Sequence, residues 1–105
     1  MRALKENPKL KDFQAYVADM VKQRGFNEDG VAETFMGFLE ECGEMAQAAR
    51  KTGRDHTRVP RLDHEIADVF IYLLDICNRF EVDLEKAFRE KEEINKKRTW
   101  PRVRK

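Results

Sequence analysis

Apolar residues along the chain recur at helical spacing and nowhere alternate over a strand-length run, so the pattern predicts helices and no convincing strand. Leu10, Phe13, Val17, Met20 and Val21 share one face of a first helix. It opens near Pro8, a favoured first-turn residue, and stops at Gly25 after "VKQR". "NEDG" reads as a loop. A second helix runs from about Val31 to Lys51 with Phe35, Leu39, Cys42, Ala46 and Ala49 as its stripe. The polar stretch "TGRDHTRVP", with Gly53 and Pro60 at its ends, separates it from the next element.

The third helix, about Leu62 to Phe80, is apolar nearly all round: Ile66, Val69, Phe70, Ile71, Leu73, Leu74, Ile76 and Cys77 leave little polar surface. Such a helix has to be covered on most sides. Four helices of this length cover it only in part, so the chain is expected to form a homodimer or homotetramer. "EVDLEK" breaks the pattern, with Asp83 as N-cap. The last helix, Leu84 to about Arg98, carries Leu84, Phe88, Lys91, Ile94 and Asn95 on related faces, and Pro101 ends it. The fold class is all-α: a four-helix bundle completed by homo-oligomerisation.

At 105 residues the chain has the size of one domain, expected over 1–98, with 99–105 as a basic tail. Charged residues make up 39 % of the sequence, yet the net charge is only +1. The last ten residues hold six Lys or Arg and no acid, which leaves 15 basic against 20 acidic residues before them. A body of net −5 argues against a general nucleic-acid binder, which usually shows a basic excess. The tail is expected to be an unstructured charge run, with Trp100 and Pro101 packing locally. Cys42 and Cys77 lie in apolar helical patterns without a CxxC neighbour, as suits a reducing compartment. The opening "MRALKENPKLKD" has no apolar leader. The most apolar run, "IADVFIYLLDIC", is interrupted by Asp68 and Asp75 and is too short to span a bilayer. A soluble, cytoplasmic protein is expected.

Within this pattern the acids are placed unusually. In "FLEECGEMAQAAR", Glu40, Glu41 and Glu44 occupy one sector of the second helix: Glu41 and Glu44 lie about 60° apart and Glu40 and Glu44 about 40° apart. Like charges at such spacings repel, so they either face water or hold something positive between them. Gly37 and Gly43 leave room nearby. Gly43, inside the helix, costs roughly 1 kcal/mol relative to Ala and suggests the close approach of a backbone or a ligand. The third helix carries a second set: Glu65, Asp68, Tyr72 and Asp75 thread an otherwise apolar surface, and no Lys or Arg lies between Glu65 and Asn78. Unpaired carboxylates there are costly to ionise. The compensating charge has to come from basic residues of other helices or from a divalent cation. Two acidic pairs at i, i+3 suit a hard, oxygen-seeking ion such as Mg²⁺ or Mn²⁺. His56 and His64 lack the partners of a zinc site. Asp75 is expected to cap or to pair with a basic residue.

"EECGE" followed by "HEIAD" resembles the paired ExxE and ExxD motifs of the MazG-like nucleotide pyrophosphohydrolases, and the likeness continues through "HEIADVFIYLLDICNRFEVDLEKAFREKEEINKKR". It runs from about Phe35 to Arg98 and is similar to the small, single-domain, dCTP-pyrophosphatase type. The resemblance implies an all-α fold and cleavage of a nucleoside triphosphate between its α and β phosphates, giving a nucleoside monophosphate and pyrophosphate. It implies Glu41, Glu44, Glu65 and Asp68 as Mg²⁺ ligands, with Mn²⁺ able to substitute, and Glu40 as the acid that orients or deprotonates the attacking water. It also implies Tyr72, Lys91, Asn95 and Arg98 as nucleotide or phosphate contacts. Clearance of pyrimidine or non-standard dNTPs is the role that goes with such an enzyme. The dCTP-specific relatives place tryptophans around the base, whereas the single Trp here is Trp100 in the tail. Phe26, Phe35 and Phe38 are the available substitutes. Other readings remain open at this point: a dUTP or phosphoribosyl-ATP pyrophosphatase of the same superfamily, or a non-enzymatic helical oligomerisation module.

Overall fold

Lys9 precedes the first helix in extended conformation, and its backbone N–H donates to Asp12 Oδ2 at 2.8 Å. In the computed structural model, which describes residues 3–52 and 61–101, helix α1 therefore starts just beyond Pro8 and spans Leu10–Gln23. Gly25 takes the left-handed turn, φ 80°, that ends it. The segment expected as a plain loop then begins with a short 3-10 turn, Phe26–Glu28. Helix α2 spans Val31–Thr52, α3 Leu62–Arg79 and α4 Leu84–Lys96. The all-α expectation holds: among the described residues there is no strand. Asp83 is the N-cap of α4, its side chain accepting from the Lys86 N–H at 3.2 Å. Most of the polar stretch after α2, His56 with it, and the residues beyond Pro101 lie outside the described residues.

Helices α2 and α3 form an antiparallel hairpin, with Phe35 near the start of one edge-on to Phe80 just past the end of the other, centroids 6.3 Å apart. Helix α1 packs on α3, and the core lies between them: Val17, Met20, Val21 and the fully buried Leu74, flanked by Phe13, Phe70 and Ile71. One side chain organises the far end. Gln14 Nε2 donates to Asn78 Oδ1 at 3.1 Å and to the Val82 carbonyl at 2.9 Å. Its Oε1 accepts from the Leu84 N–H at 3.1 Å, and Asn78 returns a bond to the Gln14 carbonyl at 2.8 Å. Together these bonds tie α1 to the last turn of α3 and the first residue of α4.

The core is thin for the amount of apolar surface. Leu39 is 65 % exposed, Ile66 50 % and Phe80 54 %, all on the α2–α3 hairpin, and on α4 Phe88 and Ile94 are exposed as well. The apolar surface expected all round the third helix is thus left uncovered on one side. The radius of gyration, 16.5 Å, exceeds the roughly 13 Å of a compact chain of this length. No described helix is long and apolar enough to cross a membrane.

Candidate metal centre

Because α2 and α3 run in opposite directions, the two i, i+3 acidic pairs meet in mid-hairpin. One carboxylate oxygen from each of Glu41, Glu44 and Glu65 lies within 4.8 Å of the others. Asp68, exposed, adds its charge at Glu41 and lines the same cavity. Glu41 Oε2 and Glu65 Oε2 are buried without any hydrogen-bond partner among the described residues. No Lys or Arg pairs with any of the four carboxylates there. The Glu41 carboxyl is pushed up to about 7, first by burial, then by a hydrogen bond with Glu44 and by the negative charges of Glu44, Asp68 and Glu65. Near neutral pH Glu41 is therefore partly protonated in the fold.

This donor set fits a hard divalent ion. Two ionised carboxylates about 4 Å apart repel by about 4 kcal/mol at an effective dielectric of about 20, and either a shared proton or a cation among them relieves it. The buried orphan oxygens are acceptors with nothing to accept from, which is the need a metal meets.

Beside the carboxylates lies a cavity of about 240 Å³, walled by Phe26, Asp29, Thr34, Ile71 and Tyr72, with Glu41 and Asp68 also in its lining. Tyr72 crosses close over α2. A Cβ on Gly37 would stand 2.6 Å from its hydroxyl oxygen, so only glycine admits the ring there. Burial first, and then the negative charge of Glu41, hold the Tyr72 phenol above its ordinary value. Gly43, where sequence reasoning expected a close approach, has nothing within 4 Å of a would-be Cβ. The close approach within the chain is at Gly37, six residues earlier.

The remaining expected residues are placed differently. Glu40 is exposed and stands outside the three-carboxylate cluster, in an open depression with Gly43, Glu44, Arg50 and Lys51. Lys91 and Arg98 are exposed and Asn95 is half-buried. All three belong to α4 and the turn that follows it, and α4 packs on α1. No hydrogen bond or ion pair links these three side chains to the carboxylates among the described residues. The Arg98 guanidinium instead stacks on Trp100 at 4.7 Å, and Trp100 Nε1 donates to the Asn95 carbonyl at 3.0 Å, so Trp100 packs locally as expected. Asp75 pairs with a base, also as expected. It is 7 % exposed and accepts from Arg79 Nε at 3.1 Å. Arg79, which sequence reasoning did not single out, further donates to the Asp29 carbonyl at 2.6 Å and the Phe26 carbonyl at 2.8 Å. Its only sequence signal was the i, i+4 spacing from Asp75.

Compared with known protein families, residues 30–100 match the MazG nucleotide pyrophosphohydrolase domain. No curated protein matches the chain.

Proposed function

The chain belongs to the MazG nucleotide pyrophosphohydrolase family, and on that premise we propose that it is a Mg²⁺-dependent enzyme cleaving nucleoside or deoxynucleoside triphosphates to monophosphate and pyrophosphate. The observation that carries the metal dependence is the pair of buried, unpartnered oxygens, Glu41 Oε2 and Glu65 Oε2, in a cluster with no basic partner among the described residues. Glu41, Glu44, Glu65 and Asp68 hold the ion. When bound, it offsets the triphosphate's charge and makes bound water more acidic.

The chain's own side chains do the rest. Glu40, on the rim beside Glu44, accepts the proton of the attacking water. The nucleoside enters the cavity beside Tyr72, which shares the lining with Ile71, Glu41 and Asp68. Lys91 and Arg98 neutralise the departing pyrophosphate, and Asn95 bonds sugar or phosphate. The exposed apolar stripe of Phe35, Leu39, Ile66, Leu73 and Phe80 supports assembly as a homodimer or homotetramer, which sedimentation would read directly. Removal of pyrimidine or non-standard dNTPs is the role this chemistry serves.

Phosphorus NMR tests the reading. The protein is incubated with Mg²⁺ and a panel of standard and modified dNTPs, with EDTA controls. Mg²⁺-dependent monophosphate and pyrophosphate is the expected result. Orthophosphate with nucleoside diphosphate, or no turnover and no metal-induced rise in melting temperature, overturns it.

A further inference from the structure

Arg79 is placed behind the cavity wall rather than in it. Its guanidinium holds two main-chain carbonyls of the wall segment, Phe26 and Asp29, at 2.8 and 2.6 Å, while Asp75 fixes it from α3 at 3.1 Å. The Arg79 and Asp75 side chains are only 17 % and 11 % exposed, so this is not a loose surface pair. Phe26, Asp29 and Asp75 themselves line the cavity. Among the described residues no other side chain bonds to the main chain of residues 26–29. The segment's own 3-10 turn supplies one bond, Asp29 N–H to the Phe26 carbonyl at 3.1 Å, and Phe26 is 47 % exposed, too open for packing to fix its position.

We infer that Arg79 is a positioning residue for nucleotide selection: it clamps the 26–29 segment to the end of α3 and so pre-forms the wall against which the nucleoside is placed. The inference rests on the nucleotide reading above. It assigns Arg79 an effect on the nucleoside end of the ligand and none on the phosphate end, which the carboxylates and their metal serve. A wall that has to be ordered at the moment of binding costs affinity, whereas one already held does not.

Removing Arg79 alone strands a buried Asp75, so the informative variant is the double Asp75→Asn/Arg79→Met, alongside Asp75→Asn, which keeps both carbonyl bonds. Binding is measured by calorimetry in Mg²⁺ with two kinds of probe: the non-hydrolysable α,β-imido analogues of dUTP, dCTP and dATP, and imidodiphosphate, which lacks a nucleoside. Measured against Asp75→Asn as its reference, the double variant should weaken the tightest nucleotide analogue by about tenfold or more and imidodiphosphate by less than about twofold. In parallel, the Asp29 amide should exchange faster in the double variant while the Leu74 and Cys77 amides keep their protection. An unchanged nucleotide affinity, or equal loss for both probes, overturns the inference and leaves the proposed activity standing. A wild-type protein that binds neither kind of probe overturns the proposed activity, and this inference with it.

Discussion

Replacing Glu41 by Gln removes the carboxylate on which burial and three neighbouring acids converge, and its effect on the metal-free protein has a calculable sign. The Glu41 carboxyl goes from an ordinary value of 4.5 to about 7 in the fold. The native state thus holds this proton more tightly than the unfolded chain. The resulting stabilisation is fully present below about 4.5 and is lost as pH rises through about 7. At about 1.4 kcal/mol per pH unit the full span is about 3 kcal/mol; screening at the open side of the site reduces this to about 1–3 kcal/mol. Gln imitates the protonated acid at every pH. In EDTA at pH 8 the variant should therefore melt higher than wild type by at least about 4 °C, and at pH 4.5 the two should nearly coincide. Adding Mg²⁺ reverses the order at pH 8, because only the wild type keeps the full ligand set. Calorimetric melting at both pH values, with equal protein concentration, reads all of this. A variant that melts lower than wild type at pH 8 in EDTA, or by the same margin at both pH values, refutes the reasoning.

Asp68→Ala should lower turnover by orders of magnitude and leave helical circular dichroism intact, since Asp68 is exposed and contributes charge rather than packing. Gly37→Ala forces a Cβ to within 2.6 Å of the Tyr72 hydroxyl and should cost about 1–3 kcal/mol; in a Tyr72→Ala background that cost should largely disappear in a double-mutant cycle. Gly43→Ala, with nothing within 4 Å of the new methyl, should instead stabilise the fold by roughly 0.5–1 kcal/mol in denaturant titration. Gln14→Leu breaks the side-chain bonds to Asn78, Val82 and Leu84 and should destabilise by about 1–3 kcal/mol, read as a lower urea midpoint.

Much of this architecture was visible in the sequence because local signals and burial agreed. The apolar period located α1 to α4 to within a few residues at their ends, and Asp83 announced the start of α4. The acidic pairs were legible because an antiparallel hairpin brings 41 opposite 68 and 44 opposite 65 whenever two such helices are joined by a short connection. What was not legible depends on rotation about the helix axis and on contacts distant in sequence. At 40° from Glu44, Glu40 was grouped with Glu41, yet that angle carries it away from α3 and onto the open side. The two glycines of α2 are alike in sequence; which of them receives Tyr72 depends on how the hairpin is phased. Arg79 looked like the ordinary basic end of a helix, because its main-chain partners lie some fifty positions earlier.

The knot at Gln14 has one more consequence, a mechanical one. Helix α4 is a cantilever: it is fastened at its root, and the side chains matched to phosphate and sugar contacts sit far out along the beam. From Leu84 to Asn95 the helix reaches about 17 Å. A tilt of about 10° at the root would sweep Asn95 through about 3 Å, the whole length of a hydrogen bond. The placement of Lys91, Asn95 and Arg98 thus depends on the glutamine on α1 that holds the base of the beam, and a substitution there would displace them without touching any of the three.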